Sequence, residues 1–370
     1  MLQRPSLTPL AQSLPATVPF VGPETQERQR GRPFRARIGA NENGFGASPK
    51  VATRMAEVAG EMWKYCDPEN HDLKSALAVH HGVRPENIVV GEGIDGLLGL
   101  VVRLMIEPGM PVVTSLGAYP TFNYHVAGFG GRLVAVPYVA DREDLQSLLD
   151  AVKREDAPLV YLANPDNPMG SWWDSAAIVG FIEALPETTL LVLDEAYGEM
   201  APASALPPLD TNRPNVLRMR TFSKAYGLAG MRCGYAVGEA ETVRAFDKVR
   251  NHFGMSRMTQ EACLAALADQ AYLKSTLEKI AGCCARIAGI ARENGLTALP
   301  SATNFVSIDC GRDGAYALKV MNALIARDVF VRKSMAPILD RAIRVSCGPE
   351  EEIAIFAAEF PGALADARRN

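Results

Sequence analysis

A lysine, two arginines and two hydroxyls crowd into Arg220-Thr221-Phe222-Ser223-Lys224-Ala225-Tyr226-Gly227-Leu228-Ala229-Gly230-Met231-Arg232. Thr221, Ser223 and Arg232 suit a phosphate, which a guanidinium grips through two parallel hydrogen bonds. Lys224 fits two chemistries, a point-charge contact to that phosphate or a nucleophilic amine. A lysine taken alone is far more often a solvated surface charge. The GxxxxGK[ST] nucleotide loop does not occur in the sequence, which removes the main part of an ATPase reading.

Three other stretches carry polar groups at places where a strand gives way to a turn. Gly91-Glu92-Gly93-Ile94-Asp95-Gly96 precedes an apolar helix, whose free N–H groups and positive dipole end suit an anion. Asn164-Pro165-Asp166-Asn167-Pro168-Met169-Gly170 reads as a rigid turn, able to aim the Asn167 amide into a cleft. Asp194-Glu195-Ala196-Tyr197 puts a carboxylate after a buried strand. There Asp194 suits a magnesium ion, an ion-pair partner or a protonated ring nitrogen of a ligand.

The elements that must position these groups alternate. Strands are predicted over 88–90, 111–114, 132–136, 159–162 and 190–193, and helices over 73–81, 94–105, 121–128, 144–152 and 174–184. Asp141 or Asp144 is the expected cap of the fourth helix. Short apolar strands interleaved with amphipathic helices point to an α/β fold with a mainly parallel sheet covered on both faces. In such a sheet ligands sit beyond the carboxyl ends of the strands. After strands over 216–219 and 233–237 the texture changes. Helices over 239–249, 259–268, 272–293, 315–326 and 350–360 mix with strands over 305–308, 329–332 and 343–346, as in a smaller α+β domain. The resulting division is an N-terminal arm (1–36), a large domain (37–248) and a small C-terminal domain (249–370), with the start of the large domain able to pack on the small one.

Composition excludes several classes. The 370 residues are 48% hydrophobic and 22% charged, with a net charge of -4. No basic block suggests nucleic acid, and no apolar run is long enough to cross a bilayer. The Pro- and Ser-rich start lacks the apolar core of a secretory signal, so the cytoplasm is the expected compartment. Seven cysteines without a CxxC pair argue against a disulfide framework or a zinc site. His71, His80, His81, His125 and His252 show no metal spacing and read as packing residues, and no metal is expected. Trp63, Trp172 and Trp173 read as packing or cleft-rim residues, and Arg257 as a surface or interface residue.

In order along the chain, these pieces resemble the fold-type-I, class I/II pyridoxal-phosphate aminotransferases, and within them the histidinol-phosphate aminotransferase-like branch. The matching set runs from Asn41-Glu42-Asn43 through Tyr65-Cys66-Asp67-Pro68-Glu69, the Asn164 to Gly170 turn, Asp194 to Tyr197 and the Thr221 to Arg232 stretch to Arg344. The resemblance implies a seven-stranded sheet in the large domain and pyridoxal 5′-phosphate as cofactor. It implies a Schiff base on Lys224, and Asp194 pairing with the ring nitrogen to keep it protonated. Asn167 and Tyr197 would bond the ring's 3′ oxygen, and Tyr119 would stack on its face. Ser223, Thr221, Arg232 and the backbone of Ile94 and Asp95 would hold the phosphate, with Tyr65 reaching it from the second subunit of a homodimer. Arg344, and Asn43 beside the site, would bind the substrate.

Gly44-Phe45, Glu92, Gly96 and Met169 depart from the family's usual residues. They lie near the expected substrate side and the phosphate turn, and a carboxylate at Glu92 opposes a phosphorylated substrate if it faces one. The favoured function is an aminotransferase acting between an amino acid, or an amino alcohol phosphate such as histidinol phosphate, and a 2-oxo acid. A decarboxylase or lyase of the threonine-phosphate decarboxylase type and a non-catalytic pyridoxal-phosphate-binding module are the alternatives. The module reading has against it a complete catalytic set and no DNA-binding segment.

Overall fold

The strands Leu159–Ala163 and Leu190–Asp194 are buried along their whole length, as a sheet covered on both faces requires. They form the middle of a seven-stranded sheet, seen in a computed structural model that describes residues 4–16 and 21–369. Its spatial order is Ile88–Gly91, Gly234–Val237, Val216–Thr221, Leu190–Asp194, Leu159–Ala163, Pro111–Ser115, Arg132–Val136. Gly234–Val237 runs antiparallel to both its neighbours, and the other pairings are parallel. The expected mainly parallel sheet with flanking helices is what the chain forms.

Helix Gly93–Met105 shows how one face is closed. Ile94, Leu97, Leu98, Val101 and Val102 recur at the three- and four-residue spacing of a single stripe, and all are buried against the sheet. On the other face lies Leu145–Glu155, capped by Asp144, whose carboxylate accepts from the N–H groups of Gln146 at 3.1 Å and Ser147 at 3.3 Å. Asp141 instead pairs with Arg341 at 2.8 Å.

A second core gathers Ala36, Ile38, the later half of helix Gln270–Glu293 and the strands Phe305–Asp309 and Ala342–Ser346. The strands belong to a four-stranded antiparallel sheet, Arg332–Lys333, Ala342–Ser346, Phe305–Asp309, Thr297–Ala298. The change of core does not fall at 248/249. Helix Arg257–Leu267 buries Cys263, Ala266 and Leu267 with Val51, Leu73 and Leu77, while helix Gln270–Glu293 starts in that cluster at Leu273 and ends in the second core at Ile287 and Ile290.

Several local expectations need correction. The stretch expected to be an unpacked arm contains the helices Pro9–Ser13 and Pro23–Arg30. Its end is tied to the second core, where Arg30 pairs with Asp328 and Phe34 packs on Phe330 at 5.2 Å. The strand over 329–332 divides because its halves serve different sheets: Val329–Phe330 pairs with Ala36–Arg37, and Arg332–Lys333 with Ala342–Ser346. The helix over 239–249 tightens into a 3₁₀ turn at Ala245–Lys248. The last helix, Glu350–Arg369, continues past Pro361 because Phe360, Ala363, Leu364 and Ala367 still bury apolar surface. Among the described residues no helix is long and apolar enough to cross a membrane.

Adjacent carboxylates at the end of Leu190–Asp194 part company. Asp194 is held by Tyr161 of the neighbouring strand, whereas Glu195 is fully buried and bonds Arg218 Nη2 at 2.5 Å and Arg220 Nε at 3.0 Å. Removing the carboxylate leaves the buried Arg218 without an anionic partner and Arg220 with Glu199 alone, 3.6 Å away. Glu195→Gln is therefore expected to lower the unfolding free energy by about 3–5 kcal/mol. A urea titration would show a reduced midpoint with an unchanged slope, and a loss below roughly 1 kcal/mol would contradict this role for the ion pair.

Candidate functional site

The last residues of three parallel strands, Ala163, Asp194 and Thr221, line a cavity of about 230 Å³. The position follows from the fold, since helices cover the faces of the sheet and leave the strand ends open. Around this cavity the chain brings together Ile94, Asp95, Tyr119, Asn167, Asp194, Tyr197, Thr221, Ser223, Lys224 and Arg232. These are separated by more than a hundred residues in sequence.

Lys224 extends from the turn after Val216–Thr221. Its Nζ donates to the main-chain carbonyl of Asn41 at 3.0 Å. Burial lowers the amine to about 8, with the Arg344 guanidinium adding to the effect, Asp95 and Glu42 opposing it, and Arg232 contributing least. An amine in this range is partly neutral near pH 7, as a nucleophile must be. Asp194 is raised to about 6 by burial, against the lowering effect of the Tyr161 hydroxyl at 2.7 Å and the Ala196 N–H at 2.9 Å. A buried carboxylate in this position gains from a nearby cation.

The other end of the cavity is rich in donors. Helix Gly93–Met105 has no side-chain cap at its N-terminus, so its first-turn N–H groups are available. Gly93 has φ +76°, and a Cβ there would lie 2.6 Å from Arg232 Nη2. The absence of a side chain at Gly93 gives the guanidinium its place beside the helix end. Arg232 Nη1 donates to Ser223 Oγ at 3.3 Å, and Ser223 Oγ accepts from Thr221 at 2.9 Å. Asp95 accepts from the Tyr119 hydroxyl at 2.8 Å and faces Arg232 at 3.5 Å.

Arg344 adjoins this group from the second core. Its Nη1 donates to Asn167 Oδ1, and its Nε is buried without a hydrogen-bond partner among the described residues. Burial, reinforced by Arg332, pushes the guanidinium down to about 10. Arg332 is its register partner on the adjacent strand.

Two expected residues lie elsewhere. Asn43 does not line the cavity. Its amide donates to Ala225 O at 3.0 Å and its Oδ1 accepts from Phe45 N at 3.1 Å. Of the triplet Glu42 lines the cavity, as Ala40 does two residues before it, and Asn41 between them takes φ +56°. Tyr65 is 80% exposed and packs on Phe253 at 5.1 Å, outside the cavity of its own chain. Glu92 does not line the cavity either. Its carboxylate lies against Gly254, where a Cβ would stand 1.5 Å from Oε1.

Four participants were not singled out from the sequence. Tyr161 sits inside an apolar strand and reads as core. Asn41 and Glu42 lie in the quoted Asn41-Glu42-Asn43 triplet, where spacing alone gave no ground for choosing among them. Arg332 follows a short apolar run and carries no motif.

The donor set fits pyridoxal 5′-phosphate. It offers an amine for the aldehyde, a buried carboxylate for the ring nitrogen, and N–H, O–H and guanidinium groups around Gly93 for the phosphate. Comparison with known proteins agrees. A histidinol-phosphate aminotransferase from Sinorhizobium meliloti, solved in complex with pyridoxal-5′-phosphate, superposes with a TM-score of 0.95 at 60% identity over 97% of both chains. The histidinol-phosphate aminotransferase of Geobacillus sp. (strain WCH70) is 31% identical over 92% of this chain and 93% of its own length. An L-threonine-O-3-phosphate decarboxylase from Porphyromonas gingivalis, at 18% identity and a TM-score of 0.77 over 89% of this chain and 99% of that one, shares the fold alone. The sequence model for aminotransferase class I and II matches residues 37–360, and the chain belongs to that family.

Proposed function

We propose that this pyridoxal-phosphate aminotransferase moves an amino group between an amino alcohol phosphate of the histidinol phosphate kind and a 2-oxo acid. The observation that carries the reading is an amine and a buried carboxylate facing one cavity, with the Arg344 guanidinium, whose Nε has no partner among the described residues, bonded to the lining residue Asn167. The substrate class rests on the likeness to proteins named histidinol-phosphate aminotransferases. The carboxylate of Glu92, which would oppose a phosphorylated substrate, is directed at Gly254.

Pyridoxal phosphate, when bound, supplies an electron sink for the bond broken at the substrate's α-carbon. The chain's own residues do the rest. Lys224 would hold the cofactor's aldehyde through its amine, and its Nζ would carry the proton taken from that carbon. Asp194 keeps the ring nitrogen protonated. Asn167 and Tyr197 bond the 3′ oxygen, and Tyr119 covers the ring. Thr221, Ser223, Arg232 and the N–H groups of Ile94 and Asp95 hold the phosphate. Arg344 clamps the substrate's anionic group, with Arg332 reinforcing the positive field. The reading includes a cytoplasmic homodimer. Tyr65 and Phe253 form an exposed aromatic pair for a second copy to cover, and Tyr65 would reach that copy's phosphate site.

Borohydride reduction of the isolated holoenzyme is expected to leave a pyridoxyl group on Lys224. Lys224→Ala should lose both the label and turnover, and a label at another lysine would overturn the assignment. Amino transfer should be stoichiometric with the 2-oxo acid consumed. Release of carbon dioxide in its place would favour the decarboxylase.

Arg344→Lys keeps the charge and loses the bidentate fork. The KM of the amino donor should rise roughly 10- to 100-fold, with a smaller change in kcat. An unaltered KM for every accepted donor would remove the clamp.

Asp194 also predicts a pH dependence in cofactor-free protein. Its folded value of about 6 lies above the ordinary carboxyl value of 3.8, so ionisation favours the unfolded chain as pH rises from about 4 to about 6. Asp194→Asn should gain relative stability across that window, by up to roughly 3 kcal/mol, and show a constant advantage above it. Parallel stability curves for the two proteins from pH 4 to 7 would refute the shift.

A further inference from the structure

Asn41 does not line the cavity, yet the lining residues Lys224 and Tyr197 both bond to it, as do Asn304 and Ser346 on the side of the second core. Its main-chain carbonyl accepts from Lys224 Nζ at 3.0 Å and from Asn304 Nδ2 at 3.1 Å. Its Nδ2 donates to the Tyr197 hydroxyl oxygen at 3.1 Å. Its Oδ1 accepts from Ser346 Oγ at 2.9 Å, and its own N–H donates to the same Oγ at 3.0 Å. The residue is buried in the left-handed region at φ +56°, a conformation that asparagine tolerates better than most residues.

We propose that Asn41 is a positioning residue for amino transfer: its amide fixes where the Tyr197 hydroxyl sends its proton, and its carbonyl is the resting place of the Lys224 amine. This rests on the roles proposed above for Lys224 and Tyr197. The argument is one of donors and acceptors. Ser346 Oγ already accepts from the Asn41 N–H, so the serine's own proton goes to Oδ1. That fixes the amide orientation and turns Nδ2 toward Tyr197. The phenol oxygen then accepts from Asn41, and its single proton is left to donate elsewhere, toward the cavity that Tyr197 lines. A tyrosine without this partner is free to rotate its proton away from the site.

The arrangement also ties the two halves of the site together. Ser346 and Arg344 lie two residues apart on one strand and so face the same side. Ser346 N–H donates to Ile38 O at 2.8 Å, which fastens the segment leading into Asn41. The strand that presents the substrate clamp thus also sets the amide that orients Tyr197.

Asn41→Gly is the variant of choice, because glycine keeps the positive φ and the carbonyl while deleting only the amide. The readout is the pH midpoint of the visible absorbance of the holoenzyme. It should rise by about 0.5–1 unit, the worth of one weakened hydrogen bond to an ionised oxygen. In the Tyr197→Phe background the same substitution should produce no further shift. Ser346→Ala, which removes the group that orients the amide, should shift the midpoint in the same direction by less, and again only when Tyr197 is present. In cofactor-free Asn41→Gly protein, the rate at which an acylating reagent labels Lys224 should stay within about twofold of the parent, because the carbonyl remains. Equal midpoint shifts in the Tyr197 and Tyr197→Phe backgrounds, or no shift in either, would overturn the positioning role. A several-fold change in Lys224 labelling would overturn the resting-place role. Neither outcome touches the Lys224 assignment itself, which the borohydride label tests separately.

Discussion

An amine and a carboxylate are buried around one cavity, each satisfied by neutral groups. Lys224 rests on the Asn41 carbonyl, and Asp194 on the Tyr161 hydroxyl and the Ala196 N–H. A direct ion pair would raise the lysine and lower the aspartate, leaving each charged and committed to the other. Held apart, both are displaced toward neutrality, the amine to about 8 and the carboxyl to about 6. Burial is the largest cause in both cases, so the chemistry depends on the cores that exclude water from this place.

The sheet keeps the two groups separate. Asp194 ends one strand, and Lys224 follows the adjacent one by a three-residue turn. Alternation along the chain sends Asp194 to Tyr161 and the next residue, Glu195, to the arginines of Val216–Thr221. The Glu195 network neutralises Arg218 and Arg220 internally. That leaves Arg344 as the guanidinium in contact with Asn167 and the larger electrostatic influence of the two arginines on Lys224. Arg232, nearer in sequence, is solvent-exposed and has the smaller effect.

Much of this was legible in the residues. The parallel sheet follows from short apolar strands alternating with striped helices, and the turns after those strands contain Asn167, Asp194 and Lys224. Harder to see were groups whose role comes from another strand or from backbone geometry. Tyr161 resembles its apolar neighbours until the register sets it two residues from Asp194 on the next strand. Asn43 was the residue selected from its triplet, but Glu42 lines the cavity and the Asn43 amide is held by the Ala225 carbonyl. The N-terminal stretch lacked periodicity, and its end is held by distant partners, Arg30 by Asp328 and Phe34 by Phe330, rather than by a stripe of its own. The change of core inside helix Gln270–Glu293 left no mark, since an amphipathic pattern does not say which apolar surface it meets.

The site is therefore a property of two cores rather than one. The seven-stranded sheet supplies the amine, the carboxylate and the phosphate-type donors; the antiparallel sheet supplies Arg344 and Ser346. Asn41 is where they join, because the segment before it is fixed to the second core at Ile38 while its own groups reach Lys224 and Tyr197. Under the proposed roles, a substrate anion drawn to Arg344 would act on the strand that also holds Asn41 through Ser346. Recognition at one sheet and proton placement at the other would then share three hydrogen bonds, those of Ser346 to Asn41 and of Asn41 to Tyr197. Relaxing that link would disturb how the tyrosine addresses the cofactor while leaving each core packed.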